Sequence, residues 1–439
     1  MLLHSTTGCS NSGNMGKDNE AETDYRPNVV IYEANPKVFA EKNTLNAISA
    51  RIDAIHSLGT DILWIMPIYE QGVKNAVGSP YCVRDYKAIN PEYGTVSDLK
   101  ALVKKAHGEG MKVILDWVAN HTSWDNAWIT EHKDWYTQKN GEIISPEGFN
   151  WADVADLNYD SQQMRQAMIE AMAYWVKEAD IDGFRCDYAE GVPNDFWAEA
   201  IKSVAKAKGG RDKVFMLAEG NNVKLYEAGF DAVYSWNTPY RVKDLFDGKL
   251  TVSGLTEFFK EDNSGVPESA YRMRYTTNHD MTANDESPIT AFGGKDGAMA
   301  AFVLTGMMSD CMMIYSSQEI AYPKTLSFFT YNVLDWDSDK EYTQELCTFM
   351  QIHAKTAKFR KNTPELIQTT GGGVAVWLDG GQGNGMLAVI NTSGSTVQIK
   401  VPMEQAGKSS YDETAGSTTT IPQVLDMKPY EYKIYTIEQ

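Results

Sequence analysis

The sequence predicts a (β/α)8 barrel carrying a short insertion after its third strand and an antiparallel β-sandwich at its C-terminal end. Three observations predict it. Eight short apolar runs alternate with amphipathic helical stretches along most of the chain, as a parallel α/β barrel requires. Asp187, Glu219 and Asp280 each close one of the β-like runs, which is where such a barrel builds a site. After about Lys361 the pattern changes to alternating segments punctuated by glycine, the signature of antiparallel strands.

The eight expected strands are Val29–Tyr32, Ile62–Met66, Lys112–Asp116, Gly183–Asp187, Val214–Glu219, Ala232–Ser235, Met273–Thr276 and Met312–Tyr315. Each is short, apolar and bounded by polar or turn residues, as strands buried on both faces should be. Between them, Leu45, Ile48, Ile52, Ile55 and Leu58 recur at helical spacing until Gly59 stops the run. Leu99, Leu102, Val103 and Ala106 repeat the pattern, with Ser97 as the expected cap and Gly108 and Gly110 as the stop. The interval from Asp116 to Asp182 is about twice a strand–helix unit of roughly 30 residues. The excess, 122–159, is rich in Trp, Asn and Asp and reads as a subdomain walling one side of a cleft. The barrel is expected over 25–361 and the sandwich over 362–439, with Val374–Leu378, Met386–Ile390 and Tyr430–Tyr435 among its strands.

Size and charge bound the function. The chain has 439 residues, too many for one ordinary core. Its formal net charge of −19 argues against nucleic acid, which proteins hold by neutralising phosphates. No apolar run is long enough to span a membrane, so no transmembrane segment is expected. Five widely spaced cysteines make neither a disulfide framework nor a zinc motif, and Cys82 and Cys186 read as packed thiols. Residues 1–24 are polar and rich in Gly, Ser and Asn, and read as a disordered tail. Gly8-Cys9 resembles the end of a bacterial lipoprotein signal, without the apolar stretch that precedes such a cysteine. A lipid anchor at Cys9, with an extracytoplasmic location, and a plain tail on a cytoplasmic protein are therefore both expectations.

Two acids at the same height on neighbouring strands, about 4.8 Å apart, suit the roughly 5–5.5 Å separation of a retaining glycosidase. Asp187 and Glu219 should stand so on the fourth and fifth strands. Arg185, two residues before Asp187, points to the same side and favours its ionised form. Neighbouring acids and burial should push Glu219 the other way, so that the two carboxyls divide the roles of nucleophile and acid. Asp280 could stabilise the cationic transition state. His121 and His279, after strands three and seven, are expected as neutral imidazoles that hydrogen-bond sugar hydroxyls. Any one such acid after a strand is ordinarily a solvated or capping residue; the set together is not.

The segments Asp116-Trp117-Val118-Ala119-Asn120-His121, Gly183-Phe184-Arg185-Cys186-Asp187, Leu217-Ala218-Glu219 and Asn278-His279-Asp280 resemble, in order, the four motifs of the α-amylase family of glycoside hydrolases. Gly78–Tyr86, Asn90–Thr95 and Ala155–Asn158 add to the resemblance, which runs from about Val29 to Trp336. It implies a retaining hydrolase of α-glucans such as starch or maltodextrins, with Asp187 as nucleophile, Glu219 as acid/base and Asp280 as stabiliser. It also implies that Tyr81, Asp116, His121, Arg185 and His279 bind the scissile sugar, with Tyr81 stacked on its ring. No cofactor is required for the chemistry. The resemblance allows a structural Ca2+ on Asn120 and Asp156, with the carbonyl donor falling to Gly191. The chain departs from the family pattern in three places. Tyr188-Ala189-Glu190-Gly191 lacks the usual Lys and His, Thr277 replaces an acid, and Ser309–Glu319 lacks the usual Pro and Gly. Competing expectations are a transglycosylase or an exo-acting α-glucosidase on the same scaffold, and a non-catalytic sugar-binding barrel. Trp124, Trp128, Trp135 and Trp151 either form outer sugar platforms or pack the insertion.

Overall fold

A computed structural model describes residues 27–438. The tail expectation and the lipid-anchor reading of Cys9 lie outside the described residues. Eight parallel strands follow in chain order: β1 (Val29–Ala34), β2 (Ile62–Ile65), β3 (Lys112–Trp117), β4 (Gly183–Cys186), β5 (Phe215–Ala218), β6 (Ala232–Tyr234), β7 (Tyr271–Met273) and β8 (Cys311–Tyr315). From β1 to β7 each pairs with its sequence neighbour, and β8 pairs with β1. The β7–β8 seam is closed only just past β7: Arg274 N donates to Cys311 O at 2.9 Å and Met313 N to Arg274 O at 2.9 Å.

The pleat of these strands sorts their side chains. Ile31, Ile62, Trp64, Ile114, Leu217, Tyr234, Met273 and Met313 fill the lumen. Their neighbours Tyr32, Leu63, Leu115, Phe184 and Ala218 face the helices outside. Because side chains alternate along a strand, Glu33, Asp116, Arg185, Asp187 and Glu219 all fall on the luminal side, near its upper end. Gly183 sets the height of β4: with φ +141, a Cβ there would stand 2.0 Å from Phe215 O, so only glycine lets β4 lie this close to β5. The register then pairs Cys186 with Ala218, which leaves Asp187 level with Glu219.

Three expectations need correction. The first helical run is two helices, Thr44–Ala50 and Ile52–Ser57, separated at Arg51, whose φ of −101 and ψ of 3 leave the helical region. The second helix, Val96–Gly108, is capped not by Ser97 but by Thr95, in a capping box with Asp98. The seventh strand ends at Met273 rather than at Thr276, and Asp280 closes no strand. It lies in the first turn of the short helix His279–Asn284, capped by Asn278, whose side chain accepts from Met281 N at 2.9 Å.

The insertion leaves β3 through His121–Ser123, which pairs antiparallel with Val154–Asp156, so both its ends are tied beside the barrel mouth. At the C-terminal end, β9 (Glu365–Gln368), β10 (Gly373–Gly381), β11 (Asn384–Asn391), β12 (Val397–Lys400), β13 (Ser409–Asp412), β14 (Ser417–Thr420), β15 (Val424–Met427) and β16 (Tyr432–Ile437) form a six-stranded antiparallel sheet and the β12–β15 ribbon. Sheet and ribbon enclose Ala375, Leu387, Val389, Ile399, Leu425, Met427 and Tyr435. The sheet's other face contributes Val374, Val376, Leu378, Met386, Ala388, Ile390 and Ile434 to the core beneath the barrel helices. Among the described residues no helix is long and apolar enough to cross a membrane. Cys82 and Cys186 are buried, as packed thiols should be.

Candidate active site

The mouth of the barrel is organised around one guanidinium. Arg185 is fully buried, and its Nη1 donates to Asp116 Oδ1 and to Asp187 Oδ1, each at 2.9 Å. Its Nη2 lies 2.6 Å from Glu219 Oε1, a charge contact without hydrogen-bond alignment. Its Nε donates to Tyr234 Oη at 3.2 Å, and the Trp64 ring lies 5.0 Å from the guanidinium carbon. Asp116 Oδ2 accepts from Trp64 Nε1 at 3.1 Å and from Tyr81 Oη at 3.2 Å.

One positive charge among three carboxylates, Asp116 fully buried and Asp187 and Glu219 partly so, leaves the cluster short of compensation, and protonation makes up the difference. Burial pushes Asp187 up to about 6; Arg185 opposes the rise, while Asp116 and Asp280 add to it. Burial likewise pushes Glu219 up to about 7, against Arg185 and with the help of Asp187 and Asp280. Asp116, also buried, is raised to about 6. Glu219 Oε2 accepts the Tyr188 N–H at 2.6 Å, and that N–H is aimed by a left-handed backbone at Tyr188, φ 39 and ψ 52.

The two histidines differ. His121 is buried and lowered to about 4 by desolvation, so it is neutral as expected. His279 is not. Burial alone would lower it, but Asp280 and Glu33 outweigh that and raise it to about 9, so the ring is an imidazolium at neutral pH. Its Nδ1 stands 2.5 Å from Glu33 Oε1, and its Nε2 is 2.9 Å from Tyr81 Oη and 3.4 Å from Asp280 Oδ2. The Tyr81 ring stacks on His279 at 5.5 Å and 23°.

Above this cluster opens a cavity of about 1100 Å³, lined by Tyr81, His121, Asp187, Glu219, His279 and Asp280 among others. The structure thus brings together the three acids, both histidines and Tyr81, with Arg185 and Asp116 as their floor. The insertion supplies Phe149, Trp151 and Asp153 to the wall. Phe149 and Trp151 stack at 4.1 Å and 11°, with Tyr188 edge-on to both at 5.2 and 5.7 Å. Of the four tryptophans singled out in the insertion only Trp151 lines the cavity. Trp128 packs on both Trp135 and Tyr86, and Trp124 Nε1 donates to Ala152 O.

Sequence reasoning missed Glu33, Phe149 and Glu190. Glu33 carried the same signal as Asp187, an acid closing an apolar run. Glu190 stands where the family pattern usually has Lys: its Oε1 accepts from Asn221 N at 2.5 Å and Asn222 N at 2.8 Å, pinning the loop after Glu219.

The calcium expectation finds a thin donor set. A Cβ on Gly191 would lie 2.8 Å from Asn120 Oδ1, so that amide oxygen faces the Gly191 backbone. Asp156 is raised by burial and shares its carboxyl with the Thr137 hydroxyl. Among the described residues no group of three or more His, Cys, Asp or Glu is placed to hold a metal. Asp156, the Asn120 amide and the Gly191 carbonyl would supply three of the six to eight oxygens that Ca2+ takes.

An upper-rim cluster of acids around an arginine, opening into an aromatic-walled cavity on a (β/α)8 barrel, defines the class of sugar-processing barrels. The model of the α-amylase catalytic domain matches residues 32–365, and the chain belongs to the α-amylase family. It is similar to an α-amylase of Haloarcula japonica, 29% identical over 66% of this chain and 44% of that protein. It is also similar to a trehalose-6-phosphate hydrolase of Bacillus subtilis, 30% identical over 40% of this chain and 37% of that one. In both cases the match spans less than half of the curated relative's length. The crystal structure of an α-amylase from Lactobacillus plantarum superposes with a TM-score of 0.82, at 28% identity, covering 93% of this chain and 99% of that one.

Proposed function

We propose that the protein is a retaining glycoside hydrolase that cleaves α-glucosidic bonds, α-1,4 by preference, in starch, maltodextrins or related α-glucans. The observation that carries this reading is the level pair Asp187 and Glu219 on neighbouring strands, touching one guanidinium and held at different protonation midpoints. Asp187, the more acidic, attacks the anomeric carbon while the bond to the leaving sugar breaks. Glu219 gives its proton to the leaving oxygen. Water then attacks the glycosyl-aspartate ester, Glu219 takes the water's proton, and Asp187 is released. Asp280 faces the positive charge that develops on the ring, and the Asp116–Arg185–Tyr81 floor orients the sugar beneath it. Phe149 and Trp151 offer an apolar face to a sugar on the side of Glu219. No step uses a metal.

Among the described residues the cavity lining contains no Lys or Arg but adds Asp153 and Glu190 to the three acids, which favours an uncharged substrate over a phosphorylated sugar. Transfer to a second sugar uses the same ester and differs only in what attacks it.

Purified protein incubated with soluble starch, pullulan and short maltooligosaccharides tests the reading. Asp187→Asn should lower turnover about 10⁴-fold or more while the protein stays folded. Wild-type kcat/KM should follow a bell in pH whose limbs report the coupled pair, near 6 and near 7. Equal turnover by wild type and Asp187→Asn would overturn the assignment. Longer products would mark transfer, and glucose alone would mark exo action.

A further inference from the structure

We propose that Glu33 is a positioning residue for this site: from inside β1 it holds the His279 ring doubly protonated, and through that ring it fixes the direction of the Tyr81 hydroxyl. The inference rests on the reading of the site given above and adds a residue that touches no sugar.

Glu33 is fully buried. Its Oε1 meets His279 Nδ1 at 2.5 Å, and its Oε2 has no hydrogen-bond partner among the described residues. A buried carboxylate with so few partners is costly unless a positive charge faces it. His279 is the group that supplies one. The groups around His279 are Glu33 from β1, Asp280 at 3.4 Å, Tyr81 at 2.9 Å, Asp116 from β3, and the nearby guanidinium of Arg185. Apolar rings close the rest, with Phe328 edge-on at 5.2 Å and Trp64 at 6.1 Å.

Carboxylates are acceptors only, so both ring nitrogens face acceptors and both carry protons. Nε2–H then donates to Tyr81 Oη, and the Tyr81 proton goes to Asp116 Oδ2, 3.2 Å away. With a neutral ring protonated on Nδ1 alone, Tyr81 would donate to Nε2 instead. Asp116 would lose a donor, and the Nε2 lone pair would face the Asp280 carboxylate. Glu33 decides between these two states from a point 246 residues away in sequence.

Histidine NMR on the full chain tests this, with the His279 resonance assigned by its loss in His279→Gln. In the wild type the ring should remain charged through pH 8. In Glu33→Gln its midpoint should fall by about two units, into the range of the Glu219 limb. The kcat/KM profile should then lose its alkaline side more than its acid side, and Glu33→Asp should restore part of the loss. A His279 ring that is neutral at pH 7 in the wild type would overturn the proposal, and that measurement needs no variant to fold and no substrate to be turned over. So would an unchanged His279 titration in Glu33→Gln with activity lowered equally at every pH, which would make Glu33 a packing residue. Absence of glucan turnover beside a Glu33-dependent titration would sink the assigned reaction and leave the pairing intact.

Discussion

Two buried ion clusters sit in the same barrel and are built on opposite balances. At the mouth, Arg185 alone faces Asp116, Asp187 and Glu219. Where the helix Val252–Asp262 meets β7, two guanidinia face one carboxylate: Arg274 Nη2 donates to Asp262 Oδ2 at 2.8 Å, and Arg272 Nε lies 3.6 Å from Asp262 Oδ1. The surplus donors of this second cluster go to carbonyls, from Arg272 to Asn221 O, Tyr234 O and Asp262 O and from Arg274 to Met308 O. Ser235 Oγ completes it by donating to Asp262 Oδ2 at 2.7 Å. Carbonyls compensate spare donors cheaply; at the mouth the spare acceptors receive neutral donors from Trp64, Tyr81 and Tyr188, which do not offset the excess negative charge. The structural cluster leaves one buried donor, Arg274 Nε, without a partner but carries no surplus of negative charge, whereas the mouth is left holding protons that chemistry can use.

That contrast can be broken from either side. The largest expected effect is at the structural cluster: Asp262→Asn leaves two buried guanidinia without a counter-charge and should cost about 3–5 kcal/mol. Urea unfolding at pH 5 and pH 8 should show the loss at both; a loss below about 1 kcal/mol would mean that the carbonyls suffice. At the mouth the sign should reverse. Glu219 binds its proton more tightly folded than unfolded, about 7 against an ordinary 4.5, so its contribution is fully present below the unfolded value and is lost as pH rises through 7. Glu219→Gln should therefore be more stable than wild type at pH 8, by about 1–3 kcal/mol, with the gap closing toward pH 5. Parallel stability curves across that range would refute the picture of an under-compensated mouth. Smallest is the wall: Trp151→Ala should raise KM for maltooligosaccharides about three- to tenfold with kcat little changed, the worth of one aromatic contact. A fall in kcat at constant KM would instead tie Trp151 to the bond-breaking step.

The contrast also explains what could be read from the chain. Asp187 and Glu219 were legible because each directly follows an apolar run whose register the barrel fixes. Asp280 was placed correctly on the rim for a partly wrong reason. The run before it looked like a strand, but only Arg274 bridges to β8, and the chain from Asn278 turns into a helix. The positions of His121 and His279 were legible, yet their charge states were not. One depends on desolvation and the other on Glu33, a partner set by closure of the barrel rather than by local sequence. The insertion as a wall was legible, with Trp151 among its candidates, but the partner Phe149 escaped because the stack depends on how the insertion folds back, which has weak periodicity to guide it.

The C-terminal sheet carries a consequence for anyone wishing to trim the molecule. Its inner face faces the ribbon, but its other face shares the core that lies under the barrel helices, where Val376, Met386 and Ile390 are fully buried. Ending the chain at 361 would not release a self-sufficient catalyst from a detachable accessory; it would strip the lining from part of the barrel's own wall and leave greasy surface for other molecules to find.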